Sequence, residues 1–279
     1  MTRLLYTALF RATLPLIWLR LYLKGRRQPE YLKHTGERRG FYTQSSDRPL
    51  IWVHAVSVGE TRAAEPLVRA LQAQYPDHQL LMTGMTPTGR EAGQKVYGDS
   101  VLRAYLPYDT PGAVRRFLDH FQPRLGILME TEVWPNLLGA CRQRGIPLIL
   151  ANARLSAESA RGYEKLGRLA RDAFAGLCGA AAQTEEDAKR LRSLGLSPAK
   201  VCGNLKFDVP LPEEMQKLGQ QWHETIGTRP VWLAASTREG EEERVLDAWQ
   251  AITSPEALLV LVPRHPQRFD EVAALLHRR

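Results

Sequence analysis

The residues best suited to chemistry stand at one turn. The apolar, β-branched run Leu50-Ile51-Trp52-Val53-His54 has strand character, and the stretch opening with Glu60-Thr61-Arg62-Ala63-Ala64-Glu65 has helix preferences. Ser57, Val58, Gly59 and Glu60 lie at the junction. Gly59 is expected to let the backbone turn tightly there, so that Glu60 projects from the first helical turn at the carboxyl edge of a parallel sheet. A carboxylate in that place is a candidate general base, with Ser57 and Gly59 beside it as candidate substrate-binding positions. The same carboxylate is also what the helix macrodipole favours in any first turn, so the local pattern leaves a structural role open.

Other polar groups follow apolar runs in the same way. Glu130-Thr131-Glu132 follows Leu125-Gly126-Ile127-Leu128-Met129, and two carboxylates there, beside Glu60, would raise one another's pKa if close. They could equally cap the next helix. Asn152-Ala153-Arg154-Leu155-Ser156 follows the run ending at Ala151, and Gly203-Asn204-Leu205-Lys206 follows the run ending at Cys202. Lys206 is a point charge suited to an anionic ligand or a developing negative charge, or is simply solvated. Ser236-Thr237 reads as the opening of a helix, a natural cap and phosphate cradle, but Glu239, Glu241, Glu242 and Glu243 follow at once and would repel a phosphate. Pro263-Arg264 places a guanidinium at the next strand end, within reach of a bidentate phosphate contact.

The elements that must position these groups alternate. Seven apolar runs between residues 50 and 204 alternate with amphipathic stretches, among them one helix through Leu71 and one over Ser159 to Phe174. That is the signature of a parallel sheet covered on both faces, here a Rossmann-like domain without a GxGxxG fingerprint. Residues 31–206 are assigned to this domain and 207–229 to a connector. From 230 to 279 the alternation restarts with two strands and two helices, too few to close a doubly wound sheet, so a second domain that is C-terminally truncated is expected.

Residues 1–30 differ in composition from the rest of the chain. Leu4 to Leu23 gives twenty mostly apolar residues, about the length that crosses a bilayer, interrupted by Arg11, Pro15 and Arg20. The two arginines favour an anchor that is tilted or lies partly in the interface. Lys24, Arg26, Arg27, Lys33, Arg38 and Arg39 then form a juxtamembrane basic cluster, which marks the cytoplasmic side and is attracted to anionic headgroups. The net charge of +8 calls for an anionic partner. The three cysteines, Cys141, Cys178 and Cys202, are widely spaced with no CxxC pair, and read as buried thiols in a reducing compartment.

Eight ordered motifs carry a resemblance: HAVSVGE at 54–60, MTPTGRE at 85–91, YLPYDTP at 105–111, METEVWPNL at 129–137, ANARLS at 151–156, GNLKFD at 203–208, STREGEEE at 236–243 and PRHPQRF at 263–269. Together they resemble the 3-deoxy-D-manno-octulosonic acid (Kdo) transferases from end to end. The resemblance implies a GT-B glycosyltransferase of α/β class, two Rossmann-like domains with the second incomplete here, behind an N-terminal membrane-anchor helix. It implies transfer of Kdo from CMP-Kdo to lipid IVA, the tetraacyl lipid A precursor, at the cytoplasmic face of the bacterial inner membrane, with no cofactor and no metal. By the same resemblance Glu60 is the base of an inverting transfer, Glu130 and Lys206 stabilise the transition state, and Pro263-Arg264 forms part of the CMP site. The basic charge is then explained by anionic lipid rather than nucleic acid. Another GT-B envelope glycosyltransferase and a catalytically inactive membrane-bound fragment are the competing readings. Further glycine-rich motifs that hold the nucleotide are expected beyond Arg279.

Overall fold

Runs that are apolar at every position make strands buried on both faces, and all seven runs of the first half pair side by side. The computed structural model describes residues 1–252 and 254–278 and divides into two compact units, Met1–Pro210 and Leu211–Arg279.

The first unit begins with α1 (Arg3–Arg27) and continues with β1 (Leu50–His54), α2 (Val58–Ala63), α3 (Glu65–Gln74), β2 (Gln79–Gly84), α4 (Pro87–Tyr97) and β3 (Val101–Tyr105). After α5 (Pro111–Phe121) come β4 (Leu125–Met129), α6 (Pro135–Gln143), β5 (Leu148–Ala153), α7 (Ala157–Lys165), α8 (Arg168–Phe174), β6 (Gly179–Ala182), α9 (Glu185–Ser193) and β7 (Ala199–Val201). The sheet order is β3-β2-β1-β4-β5-β6-β7, every pairing parallel. The order reverses between β1 and β4, and open α/β sheets bind ligands at the carboxyl ends of the strands flanking such a switch point.

Packing at that junction is tight. Trp52 of β1 is fully buried and donates from Nε1 to Thr83 Oγ1 at 2.7 Å. Its ring lies over Gly126 of β4, where a Cβ would run into both Trp52 and the Leu148 side chain. Phe117, Leu128, Leu150 and Phe174 extend the core on this face; Ile51, Val53, Met82 and Met129 fill the other.

Helix α1 is long and apolar enough to cross a membrane by length and composition, and it has two apolar sides. On one, Tyr6, Phe10, Ile17 and Leu21 are at least half-buried; Thr7 Oγ1 donates to Asn136 Oδ1 at 3.0 Å, and Trp18 meets Tyr108 edge-on. On the other, Leu5, Leu9, Leu16, Leu19 and Leu23 are all exposed. The segment after it is held by buried charge. Glu37 accepts from Arg90 Nη1 at 2.8 Å and from the Tyr105 amide at 2.7 Å, while Arg38 donates to the Met85 carbonyl at 3.0 Å and lies 4.1 Å over the Tyr105 ring.

The second unit holds α10 (Glu213–Ile226), β8 (Val231–Thr237), α11 (Glu241–Gln250), β9 (Leu258–Pro263) and α12 (Phe269–Arg278), with β8 and β9 parallel. Trp232 packs on Trp249, and Arg268 clamps the buried carboxylate of Glu242 at 2.8 and 3.1 Å.

Several local expectations are corrected. The helix after Glu60 does not run unbroken to Leu71: α2 ends at Ala63 and α3 starts at Glu65, because Pro66 has no N–H to give to the preceding turn. The helix expected over Ser159 to Phe174 is two, parted at Gly167 with φ +58°. Gly59 is not at a strained turn; it lies inside α2, and the change of direction is made by Ser57 in extended conformation as N-cap. Ser236 and Thr237 do not open a helix. Thr237 ends β8 past a register shift, and Gly240 caps α11. Among the cysteines only Cys141 is buried; Cys178 and Cys202 are exposed. Arg38 is buried on tyrosine rings, so it does not belong to the lipid-facing basic cluster.

His54 closes β1 fully buried, with Nδ1 2.8 Å from Thr83 Oγ1 and Nε2 without a partner among the described residues. Burial pushes its imidazole down from 6.5 to about 4, against the raising influence of the Thr83 backbone. The unfolded chain takes up this proton near pH 6.5 and the folded chain only near 4. The contribution to stability is therefore complete above pH 6.5 and is lost as pH falls to 4, about 3 kcal/mol in all. Urea unfolding at pH 7 and pH 5 is expected to show this fall in the wild type and a clearly smaller one in His54→Gln.

Candidate active site

The chain leaves β1 through Ala55 and Val56, and Ser57 caps α2 by accepting from the Glu60 amide at 3.3 Å. The Glu60 side chain reaches back: Oε2 accepts from the Val56 amide at 2.9 Å and Oε1 from the Ser57 hydroxyl at 2.9 Å. This is a variant of the Ser-x-x-Glu capping box, in which the Glu reaches the amide one residue before the cap and the hydroxyl of the cap itself. Glu60 is 9% exposed, so the arrangement fixes a nearly buried carboxylate with one rotamer. The start of α4 leans on the same loop, with Thr86 Oγ1 3.4 Å from the Val56 carbonyl. A Cβ on Gly59 would find only Ser57 Oγ within 4 Å, at 3.8 Å, so this side of the turn is open.

Across the switch point, β4 is followed directly by Glu130, a non-glycine residue at φ +56° whose amide donates to the Ala151 carbonyl at 2.9 Å. Backbone strain of this kind persists only where the surroundings hold it, and it is common at functional sites. It turns the METEVW segment so that Glu130 and Glu132 act electrostatically with Glu60. Burial raises the Glu60 carboxyl above its ordinary range; the Val56 and Ser57 hydrogen bonds lower it and Glu130 raises it. Glu132 is pushed up to about 7, first by burial, then by Glu60, with Trp134 opposing and Glu130 adding. Glu60 and Glu132 are thus raised by burial first and by an acidic neighbour after it.

Helix-capping does account for other acids. Asp109, at the end of the YLPYDTP stretch, accepts from the Asn136 and Leu137 amides at 2.9 and 2.8 Å and so caps α6 in place of Glu130 or Glu132. Lys206 sits exposed on a 3₁₀ turn, Leu205–Phe207, that packs against α2, with Leu205 partly buried against the core cluster to which Ile51 and Val53 belong. Glu60, Glu130, Glu132 and the Lys206 turn thus share the carboxyl ends of the sheet. Pro263 and Arg264 belong to the second unit, at the end of β9, where the Arg264 amide donates to the Thr237 carbonyl at 2.9 Å and the side chain is exposed.

Sequence reasoning missed three contributors. Glu37 and Arg38 look like part of a charge run, and only the fold shows them buried. Asn152 is 2% exposed at φ +52°, and nothing in ANARLS marks it as left-handed beyond the tolerance of Asn for that region.

Residues 33–209 match the family described as 3-Deoxy-D-manno-octulosonic-acid transferase (kdotransferase). The chain is 46% identical over 291 aligned residues to the 3-deoxy-D-manno-octulosonic acid transferase of Bordetella pertussis, an alignment covering 99% of this chain and 67% of that one. Among solved structures, a UDP-GlcNAc 2-epimerase from Neisseria meningitidis bound to UDP-GlcNAc matches with TM-score 0.56 at 16% identity, over 82% of this chain and 69% of that one. A glycosyltransferase from Rickettsia africae matches with TM-score 0.53 at 11% identity, over 84% and 66%. At such identities the two structures speak for the fold alone, while the sequence match separates this chain from other envelope glycosyltransferases. The chain belongs to the 3-deoxy-D-manno-octulosonic acid transferase family, glycosyltransferases of lipopolysaccharide biosynthesis with the GT-B fold.

Proposed function

We propose that the chain transfers Kdo from CMP-Kdo to lipid IVA, with inversion and with Glu60 as general base. The observation that carries this reading is the Glu60 carboxylate, fixed by Val56 and Ser57 at the switch point and made more basic by burial. A sugar hydroxyl is a poor nucleophile until its proton has somewhere to go. Glu60 takes the proton of the glucosamine 6'-hydroxyl while that oxygen bonds to the anomeric carbon. The bond from that carbon to the phosphate oxygen breaks on the opposite side, and CMP leaves with the electron pair. Glu130 offsets positive charge growing at the sugar, and Lys206 meets negative charge on the phosphate side. Pro263 and Arg264 serve the CMP end. With side-chain cations in this role the reaction needs no metal. Ser57 orients the base, and Gly59 leaves its approach open.

Helix α1 is proposed to lie in the plane of the cytoplasmic leaflet of the inner membrane. Its inner side is occupied by the domain, through Thr7 with Asn136 and Trp18 with Tyr108, which leaves the leucine stripe for lipid. Arg11, Arg20 and the terminal Lys24, Arg26 and Arg27 are exposed around it, where anionic headgroups lie.

In the full-length chain, Glu60→Gln is expected to lower transfer on the order of 10²- to 10⁴-fold, as for loss of a general base. Gln keeps the acceptor for the Val56 amide and can replace the other bond by donating from Nε2 to Ser57 Oγ, so its unfolding free energy should stay within about 0.5 kcal/mol of wild type, whereas Glu60→Ala loses about 1 kcal/mol with the cap. Retained turnover in Glu60→Gln removes the base assignment. Because the base must be ionised and its pKa is raised, the acid limb of kcat/KM is expected above pH 4.5. Glutamates at both Leu9 and Leu16 should weaken sedimentation with phosphatidylglycerol vesicles at least tenfold, roughly the loss of one buried leucine contact; unchanged binding rules out the in-plane anchor.

A further inference from the structure

We propose that Asn152 is a positioning residue for Lys206, acting through a circuit of three side-chain amides across the ends of β5, β6 and β7. The inference rests on the reading of Lys206 as the cation that meets developing charge.

The circuit starts from a backbone conformation. Asn152, the last residue but one of β5, is in the left-handed region, φ +52°, and is buried. In that conformation its Oδ1 accepts from the Leu205 amide at 3.1 Å and its carbonyl accepts from Gln183 Nε2 at 3.0 Å. Gln183, just past β6, accepts at Oε1 from Asn204 Nδ2 at 3.0 Å. Asn204 closes the circuit by accepting the Lys206 amide on its own Oδ1 at 3.0 Å and the Phe207 amide on its carbonyl at 3.0 Å. Gly203, at φ +81°, swings the chain into place.

Three consecutive amides, those of Leu205, Lys206 and Phe207, are therefore bound to acceptors that trace back to Asn152. A 3₁₀ turn after a strand can be satisfied by water on a surface this open, since Lys206 and Phe207 are exposed. Instead a buried amide on another strand fixes it, and the Leu205 side chain seats it against the β1 core. The backbone of residue 206 is thereby set relative to α2 and Glu60, while the ammonium group stays free to follow the ligand. A displacement of about 1 Å in such a group costs up to roughly 100-fold in rate.

The test compares wild type, Asn152→Gly, Asn152→Asp, Lys206→Ala and the double variant Asn152→Gly/Lys206→Ala as full-length chains, using CMP-Kdo and lipid IVA. Glycine accepts the left-handed backbone and loses only the amide; aspartate keeps the acceptor oxygen. Asn152→Gly is expected to speed hydrogen exchange across residues 203–208 and lower kcat about 10- to 100-fold, with KM within about threefold. Asn152→Asp should restore most of kcat. In the Lys206→Ala background, Asn152→Gly should cost nothing more, because a residue acting only through Lys206 has nothing left to position. Gln183→Leu, which cuts the circuit without touching the left-handed residue, should reproduce the loss if Asn152→Gly folds poorly. If Lys206→Ala is impaired but Asn152→Gly is not, or if the two losses multiply, the positioning role is overturned and the reading of Lys206 stands. Wild-type turnover in Lys206→Ala overturns both.

Discussion

The placement of β1 against β4 governs the rest of the molecule. Trp52 on β1 needs a flat neighbour, and Gly126 on β4 supplies one by having no side chain; Thr83 on β2 satisfies the buried indole from the other side. Strands so locked share a register, Trp52 opposite Gly126 and His54 opposite Leu128, and end at nearly the same level. The segments that leave the two strands must then face one another. The residue after β4 is Glu130 and the turn after β1 carries Glu60, so carboxylates seventy positions apart in sequence become electrostatic neighbours. Burial first, and the neighbouring Glu130 after it, raise the Glu60 carboxyl, so its basicity follows from the sheet order and packing.

Glu60 joins two roles that look like alternatives in the sequence. It belongs to a capping arrangement, which any helix start would favour, and it is the carboxylate proposed as the base. The two are compatible because they act on different properties. The hydrogen bonds from Val56 and Ser57 favour the ionised form and fix the rotamer; burial and Glu130 push the other way and win. An exposed first-turn Glu has the cap without the raised basicity, and a buried uncapped one would have the basicity without the orientation.

The parts legible in advance were those with period and composition. Seven continuous apolar runs named seven parallel strands, and Gly and Pro marked their ends. Less was visible where meaning depends on a partner distant in the chain. No pattern around Leu50 or Leu125 says that β1 and β4 pair, because that pairing skips two strands. The Pro66 break was written in the residues, yet the apolar spacing runs through it and hides it. Glu37-Arg38-Arg39 reads as a solvated run, although two of the three are buried against Arg90 and Tyr105. Asn152 has no local signal, because a left-handed residue is specified by the circuit it closes rather than by its neighbours.

Those hidden residues also explain how α1 is tied to the chemistry. Trp18 on the inner side of α1 lies under Arg39 and beside Tyr108. The adjoining Glu37 and Arg38 hold the start of α4, through Arg90 and the Met85 carbonyl. The first turn of α4 rests on Val56, whose amide binds Glu60. Every step is a direct contact within one unit, so the leucine stripe stands at a fixed height from the carboxylate. A surface that holds the stripe in lipid holds Glu60 at a set distance from the headgroups, which is the geometry the proposed transfer to a lipid acceptor requires. Buried charge is a costly way to make such a link, since the ions lose their hydration on folding. What it supplies is a fixed geometry between two surfaces that an apolar contact of similar area would leave free to slide.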